Sequence, residues 1–448
     1  MQITKKIPVS PSGKLKPTMK NHKLFFALLF SLIAFEFLSA QTSDPVKFFQ
    51  RKGNEIIHPD GKPFKIKGVN VSCWLYQENY VIGGAQTAQK VTAARVSGLL
   101  GKQAYQQHIK NMMDSFLLAE DIELMKRMGI NCVRLGFDAE LFDDEKSKAW
   151  FFNSIDRLLP VFRANDIAVL PIMMVPPKAP DKLWCTGYVK GDTMLWDSPY
   201  AKKRTIEIWA EIAKHYKNER MILGYDLIGE PAIKKNREKE LIDFYKDIST
   251  AIRAHDPNHM IVYEGNNYAI DLKVLATYDD MLDKNGCYSF HLYTWLGLKM
   301  KNHLPKFMEN ARLRNRPVFC GEWGINRIST IKNQVDLMNG EKDMNGWIVY
   351  MWKALELPLT KEEKKRPPYY GNWFFIPFED LNMSLITFKI DNETRDVIDW
   401  MSAVKVARTP SPEMAKKALS KIEHINHVSN CNFNLKLIST LGFKTLEK

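Results

Sequence analysis

The sequence predicts a (β/α)8 TIM barrel, and three observations support this. Eight short apolar runs follow one another along the 448 residues, amphipathic helix-like segments lie between them, and no internal repeat or low-complexity linker marks a second domain. Strands that alternate with helices pair in parallel, and continuously apolar strands are covered on both faces. Eight such units close most economically into a barrel. The alternative is an open doubly wound sheet, but the Gly-rich phosphate turn that often accompanies it is missing after the first strand.

The first 40 residues are predicted to be a signal peptide. A basic segment precedes twelve mostly apolar residues, Leu24 to Phe35, and small residues follow up to Ala40. This order is typical of secretory signals, so we expect cleavage after Ala40 and a secreted or periplasmic mature chain. The alternative is a membrane anchor, but a helix that crosses a bilayer needs roughly 20 apolar residues. No membrane anchor is therefore expected in the mature chain.

The barrel is predicted over residues 41–410. Its first strand follows a turn at Pro59-Asp60-Gly61, residue types that favour tight turns. The eight predicted strands are Lys65–Ser72, Asn131–Phe137, Ile167–Met174, Ile222–Ile228, Met260–Glu264, Cys287–Tyr293, Pro317–Gly321 and Gly346–Trp352. The predicted helices are Ala119–Met128, Ser154–Ala164, Tyr200–Tyr216, Arg237–Ala254, a weak one at Ala269–Leu282, Lys301–Arg314, Thr330–Met338 and Asn392–Val406. Residues 411–448 form a C-terminal helix and tail that the pattern does not place.

Two connections are too long for plain loops. They run from Leu75 to Leu118 after the first strand and from Lys353 to Asp391 after the eighth. Both leave the carboxyl ends of strands, where barrel enzymes build their sites. Both carry many aromatic residues, which suit stacking on sugars, and Trp373 is our candidate. The alternative is that these aromatic residues pack on one another.

Charge and cysteine content exclude some classes of protein. Without the six Lys and one Glu of residues 1–40, the chain has 58 basic and 50 acidic residues, a net charge of +8 rather than +13. The excess is spread out and no nucleic-acid-binding module is present, so no nucleic-acid partner is predicted. No Cys-x-x-Cys or His-x-His pair indicates a metal site, and no cofactor is predicted. Four cysteines in strand-like runs are expected to be free thiols: Cys73, Cys132, Cys287 and Cys320. For Cys185 and Cys431 the sequence does not decide between a free thiol and a disulfide.

Two glutamates stand at the ends of predicted strands. Glu230 ends the fourth strand in ILGYDLIGEPA, and Glu322 ends the seventh in RPVFCGEWG. On the rim of one barrel, two such carboxylates can converge on a single cleft. Glycoside hydrolysis needs this pair, one as nucleophile and one as acid and base, and retention of configuration places them roughly 5 to 5.5 Å apart. The alternative for each is a structural ion pair or a helix cap.

Three further rim residues fit that chemistry. Arg134 in CVRLGF ends the second strand and could bind Glu322, keeping it ionised, or else form a structural salt bridge with Asp138. His291 and Tyr293 alternate in YSFHLYTW and therefore share one face of the sixth strand. The hydroxyl can bind one carboxylate and the imidazole can tune the other; the alternative is an ordinary core histidine.

Trp352 is the aromatic candidate of the eighth strand. It ends that strand in VYMWKA, where its ring could stack on the apolar face of a sugar. The alternative is ordinary core packing.

Together these motifs resemble glycoside hydrolase family 5, the cellulase and mannanase family of clan A. The resemblance rests on GEP, GEWG, VRLGF, HLYTW and the opening GKPFKIKGVN, and it runs from Asn54 to Trp352. It implies that Glu230 is the general acid/base and Glu322 the nucleophile. The residues it places around the sugar being cleaved are Arg134, His291, Tyr293 and Trp352.

Two positions depart from the family pattern. The family usually has Asn before the acid/base, an amide that binds the 2-hydroxyl of the sugar, whereas this chain has Gly229. The family also often has a His at the end of the third strand, which VLPIMMVPPKAP lacks. We expect Gly229 to make room for a sugar unlike glucose at C2.

The predicted function is hydrolysis of a β-linked glucan-type or mannan-type polysaccharide or oligosaccharide, with retention and without a metal. The alternatives are a barrel that binds carbohydrate without cleaving it and a transglycosylase that uses the same residues.

Overall fold

The computed structural model describes residues 48–84, 87–178, 194–294, 297–356, 382–403 and 407–445. Residues 47–448 form one compact unit. The predicted signal peptide, Cys185 and Trp373 lie outside the described residues.

Eight parallel strands close into a barrel in chain order, which confirms the predicted fold class. The strands are β1 Ile66–Leu75, β2 Cys132–Asp138, β3 Ala168–Val175, β4 Gly224–Asp226, β5 Met260–Glu264, β6 Gly286–His291, β7 Val318–Glu322 and β8 Gly346–Val349. Helices or helical turns follow seven of them along the chain before the next strand begins. Each predicted strand corresponds to an observed one.

Strand β4 is shorter than predicted. Regular pairing is confined to Gly224–Asp226, so the strand ends two residues before the predicted Ile228 and four residues before Glu230. The chain nevertheless stays buried through Glu230, and isolated contacts such as the hydrogen bond from Gly229 N–H to the Met173 carbonyl (3.0 Å) keep it on the barrel wall.

The helices are α1 Gln89–Leu100, α2 Lys102–Ser115, α3 Ala119–Met128, α4 Glu145–Asp156, α5 Leu159–Asn165, α6 Pro199–Tyr216, α7 Glu238–Arg253, α8 Lys273–Thr277, α9 Met300–Leu313, α10 Ile328–Gly340, α11 Asn392–Met401, α12 Pro412–Ile425 and α13 Leu435–Thr440. Two predicted boundaries were wrong. The helix expected at Ser154–Ala164 is two helices, α4 and α5, and the weak one at Ala269–Leu282 contains only the five residues of α8. The long connection after β1 contains α1 and α2.

The core lies partly inside the barrel and partly between strands and helices. Interior side chains near the amino ends of the strands include Ile66, Leu170, Val262, Phe319 and Ile348, all at most 2% exposed. Alternate strand positions face the helices, which explains why the strands read as continuously apolar. The four cysteines predicted to be free are free and buried, and so is Cys431.

The C-terminal residues pack on the barrel unit. A small sheet joins β9 Lys353–Leu355, β10 Ile386–Phe388 and β11 Asn432–Phe433, with β10 and β11 antiparallel. The Lys444 N–H donates to the Met128 carbonyl at 2.9 Å. Across the described residues, no helix has both the length and the apolar character needed to cross a membrane.

Candidate active site

Glu230 is held in a backbone conformation that non-glycine residues rarely adopt. Its φ is +50°, in the left-handed region, which is uncommon for a residue other than glycine, asparagine or aspartate. Its backbone N–H donates to Glu264 Oε2 at 2.5 Å, and Glu264 ends strand β5. Such strain persists only where surrounding contacts impose it, and it is concentrated at functional sites. The backbone therefore directs the Glu230 side chain into the mouth of the barrel, where it contacts His291.

Glu322 ends strand β7 and is 2% exposed. One carboxylate oxygen accepts a hydrogen bond from Arg134 Nη1 at 2.6 Å, and the other accepts one from the Tyr293 hydroxyl at 3.0 Å. The preceding Gly321 is required by close packing, because a Cβ there would lie 3.0 Å from His291 Nε2 and 2.4 Å from Ser289 Oγ. The structure thus brings together Glu322, Arg134 and Tyr293, the contacts that the sequence predicted.

Arg134 is the centre of a buried ionic network. Besides Glu322, its guanidinium binds Asp226 at 2.8 Å and Glu264 at 2.5 Å. The alternative partner, Asp138, instead accepts a hydrogen bond from the Glu140 backbone N–H at 2.8 Å. Burial raises the pKa of Asp226 to about 8, although the charge of Arg134 opposes this. The network therefore places three carboxyl groups around one guanidinium in a site nearly closed to water.

His291 joins the two predicted catalytic residues. Its Nδ1 lies 2.9 Å from Glu230 Oε1 and 3.8 Å from Glu322 Oε2, and its Nε2 lies 3.3 Å from Glu264 Oε1. Burial lowers the pKa of His291, but the charges of Glu264 and Glu322 outweigh it and raise the pKa to about 10. The neighbouring carboxylates therefore favour the protonated imidazole.

Glu230 and Glu322 have different surroundings. Burial raises the pKa of Glu230 above its ordinary value, and the hydrogen bond with His291 only partly opposes this. Glu322 instead contacts the Arg134 guanidinium directly, at 2.6 Å. The carboxyl group that keeps its proton more readily is suited to be the acid, and the one held by the guanidinium is suited to be the nucleophile.

The two carboxylates are close together. One oxygen of Glu230, one of Glu322 and one nitrogen of His291 all lie within 4.8 Å of one another. Two carboxylates and an imidazole can also bind a cation, but here Arg134 contacts Glu322 and His291 contacts Glu230. We therefore assign these groups to ion pairs with side chains.

Comparison with known proteins identifies the family. The family model for cellulase, glycosyl hydrolase family 5, matches residues 59–360, more than half of the chain. This chain belongs to glycoside hydrolase family 5. As a family 5 member with endoglucanase-like and xylosidase-like relatives, it is a glycoside hydrolase.

Three known proteins illustrate the similarity. A β-xylosidase of Phanerodontia chrysosporium is 23% identical over 358 residues, which are 72% of this chain and 74% of that protein. Endoglucanase C of Acetivibrio thermocellus is 28% identical over 292 residues, 62% of this chain and 80% of that protein. Among solved structures, an endogalactoceramidase shares the fold with a TM-score of 0.52 and 18% identity, covering 69% of this chain and 75% of that one.

Two of the predicted sugar contacts are not placed at the site. Trp352 is 0% exposed, and its indole N–H donates to Asp121 Oδ1 on helix α3 at 2.8 Å. The prediction that it stacks on the sugar is therefore wrong, since no ring face is available and core packing accounts for it. Tyr350, two residues earlier, faces the site instead, with its ring centroid 6.4 Å from that of Tyr293. Trp373 lies outside the described residues and stays a prediction.

Gly229 occupies the position where family 5 usually has an asparagine. A Cβ on Gly229 would lie 2.7 Å from the Met174 sulfur, so the space beside it is already filled by a side chain. The expectation that this glycine makes room for an unusual sugar was therefore wrong in this structure. Gly229 instead leaves room for Met174, which lies in a small apolar cluster with Tyr76 and Ile172.

Gly229→Asn is expected to lower the free energy of unfolding by about 1–3 kcal/mol, because the new side chain must displace Met174. The backbone itself accepts an L-residue, since Gly229 has no positive φ. Urea unfolding measures the effect. In the matched cycle with Met174→Ala, the double variant should be more stable than the sum of the two single changes predicts. Strict additivity would show that the two positions do not compete for space.

Sequence reasoning missed several residues of the site. Glu264 ends the predicted strand MIVYE, so it carried the same signal that identified Glu230. Asp226 lay inside the predicted strand Ile222–Ile228, and only the shorter observed strand places it at a strand end. Glu78 and Tyr350 contact each other at the mouth of the barrel, and Glu78 lies in a loop with no periodic pattern.

Proposed function

We propose that this glycoside hydrolase cleaves β-linked sugars with retention of configuration, using Glu322 as nucleophile and Glu230 as acid and base. The observation that carries the proposal is the approach of their carboxylate oxygens to within 4.8 Å. Retaining enzymes hold the two groups roughly 5 to 5.5 Å apart, whereas inverting enzymes need about 6.5 to 9.5 Å to admit a water molecule.

In the first step, Glu322 attacks the anomeric carbon while the carboxyl group of Glu230 protonates the departing oxygen. The bond to the leaving group breaks, and a covalent glycosyl-enzyme forms. In the second step, the Glu230 carboxylate takes a proton from water, which attacks the anomeric carbon and releases Glu322. His291, in contact with Glu230, and Arg134, on Glu322, stabilise the charges that these steps exchange.

We propose a β-glucan or β-mannan type of substrate. The family is described as cellulase, and one relative is named an endoglucanase. Another relative is named a β-xylosidase, so xylosides belong in any test. The intact pair of carboxylates argues against a barrel that binds sugar without cleaving it, and a transglycosylase would use the same residues.

The proposal is tested by assaying hydrolysis of two sets of substrates. One set is aryl β-glucosides, β-mannosides and β-xylosides, and the other is β-glucans, mannans and xylans. NMR of the first product should show the β-anomer, which then mutarotates. Release of the α-anomer would contradict the double displacement. In glucan digests with added alcohol, predominant alkyl glycoside would favour the transglycosylase.

The activity should decrease at alkaline pH as Glu230 loses its proton. Because burial raises the pKa of Glu230, the acid form should persist above the ordinary range of a glutamate and be lost as pH rises through that pKa. The wild type should show this limb with a phenyl glycoside, whose leaving group needs a proton, whereas Glu230→Gln, followed with a 2,4-dinitrophenyl glycoside whose leaving group needs none, should show no such limb. An unchanged alkaline limb in the variant would assign the titration to another group.

We also propose that the chain is exported, because within residues 1–40 a basic segment is followed by an apolar segment and then by small residues, as in a signal peptide. Fractionation of the producing cells and N-terminal sequencing of the mature protein test this, with Gln41 as the expected first residue. A mature chain that keeps Leu24 to Phe35 in the membrane fraction would contradict it.

A further inference from the structure

A third carboxylate, Glu78, is buried at the mouth of the barrel. It follows strand β1, precedes the turn Asn79–Ile82 and is 2% exposed. Its Oε2 accepts hydrogen bonds from the hydroxyls of Tyr350 and of Tyr76, the latter at 3.1 Å. Its Oε1 is buried, and no hydrogen-bond partner for it is found among the residues that the structure describes. Buried acceptors are almost always paired in native proteins, so an unpaired carboxylate oxygen requires an explanation.

Hydroxyl groups fix the position of this carboxylate. The Tyr350 hydroxyl lies 2.7 Å from Ser72 Oγ and 2.6 Å from the Tyr80 hydroxyl. Ser72 Oγ also lies 2.9 Å from the Tyr76 hydroxyl. The carboxylate is thus held on one oxygen by an ordered network, and the other oxygen is left available to accept a donor from a ligand.

The Glu78 cluster lies next to the nucleophile and away from the acid/base. Tyr350 extends β8 and packs edge-on against Tyr293, whose hydroxyl binds Glu322. Glu230 follows β4, across the barrel from β8 and β1. Glu78 and Glu322 are both 2% exposed, so the two carboxylates are equally buried.

The ligand of Oε1 follows from this placement. The leaving group lies on the side of Glu230, so the part of the cleaved sugar ring that is remote from the scissile bond extends towards β8 and β1. That part of a sugar carries hydroxyl groups, which donate hydrogen bonds. A charged acceptor makes stronger hydrogen bonds than a neutral one, so the contact would discriminate strongly between sugars.

Building on the proposed glycosidase function, we propose that Glu78 determines specificity by accepting a hydrogen bond, through Oε1, from a hydroxyl of the cleaved sugar that is remote from the scissile bond. A hydrogen-bond donor on Oε1 would favour the ionised form of Glu78. Burial raises the pKa of Glu78 to about 7, against the opposing hydrogen bond of Tyr350. A ligand donor supplies a partner that the free enzyme lacks.

Glu78→Gln tests the proposal. Its substrates are the aryl β-glycoside that the wild type hydrolyses with the highest kcat/KM and the monodeoxy analogues of that glycoside at C3, C4 and C6. The variant should lose roughly 10- to 100-fold in kcat/KM on the parent substrate, the range for a hydrogen bond to a charged group. On one deoxy analogue, the kcat/KM values of the variant and the wild type should differ less than about twofold, because that analogue lacks the hydroxyl that Glu78 binds. The matched control is Glu423→Gln, a buried glutamate on α12 that binds His108 and Asn111. It should leave all these ratios unchanged.

Two results would overturn the specificity role while leaving the proposed function intact. One is a change of less than about twofold in kcat/KM on every substrate. The other is the same loss on the parent and on all three analogues, which would mean that Glu78 acts only by positioning Tyr350 and the nucleophile.

Calorimetric binding of cellobiose, mannobiose and xylobiose separates the two proposals if the wild type hydrolyses nothing. Binding that Glu78→Gln weakens and Glu423→Gln does not would support the Glu78 contact while rejecting the hydrolase function. Absence of binding to all three disaccharides would reject both.

Discussion

Glu322→Ala is expected to lower kcat on β-glycosides by on the order of 10⁴-fold or more, which is the scale of removing a catalytic nucleophile. Without this carboxylate no glycosyl-enzyme can form, and the small side chain leaves space beneath the anomeric carbon. Azide can enter that space and attack an activated glycoside directly. The product should then be the α-glycosyl azide, formed with inversion, and NMR identifies it.

Glu230→Ala is the matched variant for this experiment. With a 2,4-dinitrophenyl glycoside the first step needs no acid, so the glycosyl-enzyme still forms on Glu322. Azide then attacks from the opposite face, where Glu230 was removed, and the product should be the β-glycosyl azide. Equal thermal unfolding midpoints of the two variants would show that both are folded. The same azide anomer from both variants, or turnover that survives Glu322→Ala, would contradict the assigned roles.

The barrel could be predicted because its signal is local. Each strand is an apolar run with a polar rim residue at its carboxyl end, and each amphipathic helix follows from its own residues. The same rule placed Glu230, Glu322 and Arg134 near one another, although the chain separates Arg134 from Glu322 by 188 positions. In a closed barrel the carboxyl ends of all strands lie on one rim, so the position of each rim residue is determined by its strand.

The parts that sequence did not predict depend on contacts between distant segments. Trp352 lies beyond the end of β8 at Val349, where alternation no longer determines the direction of a side chain. Its direction is set by Asp121, which is 231 positions away. Gly229 suggested empty space because the sequence does not show that Met174 packs against it. Glu78 had no strand or helix pattern that could place it at the site.

Arg134→Met is expected to lower the free energy of unfolding by about 3–5 kcal/mol at neutral pH, because it leaves buried carboxylates without their cation. Three of them bind Arg134 in the wild type: Asp226, Glu264 and Glu322. Methionine fills a similar volume, so the loss reports charge rather than a cavity. Activity should be lost as well, since the nucleophile loses its 2.6 Å contact with the guanidinium.

The loss of stability should depend on pH in a definite direction. In the wild type, burial raises the pKa of Glu264, but the charges of His291 and Arg134 outweigh it and hold the pKa below its ordinary value. Its stabilising contribution is therefore present at neutral pH and decreases as pH falls. In Arg134→Met the carboxylates lose that cation, and their pKa values in the folded state should rise above those of the unfolded chain. The folded variant then binds more protons than the unfolded one, so its stability increases as pH falls.

The difference in unfolding free energy between wild type and Arg134→Met should consequently be smaller at pH 5 than at pH 7.5, as measured by urea unfolding.

Arg316→Met is the matched control at the other end of the barrel. Arg316 is 3% exposed and binds one carboxylate, Asp279, at 2.6 Å, together with backbone carbonyls. Its replacement should destabilise the fold with a weaker dependence on pH and leave the kcat of the folded enzyme unchanged. If the two variants showed the same loss of stability and the same pH dependence, the three carboxylates around Arg134 could not be the source of the effect. Protons replace the missing guanidinium only where several carboxylates share one cation, and that sharing distinguishes Arg134 from Arg316.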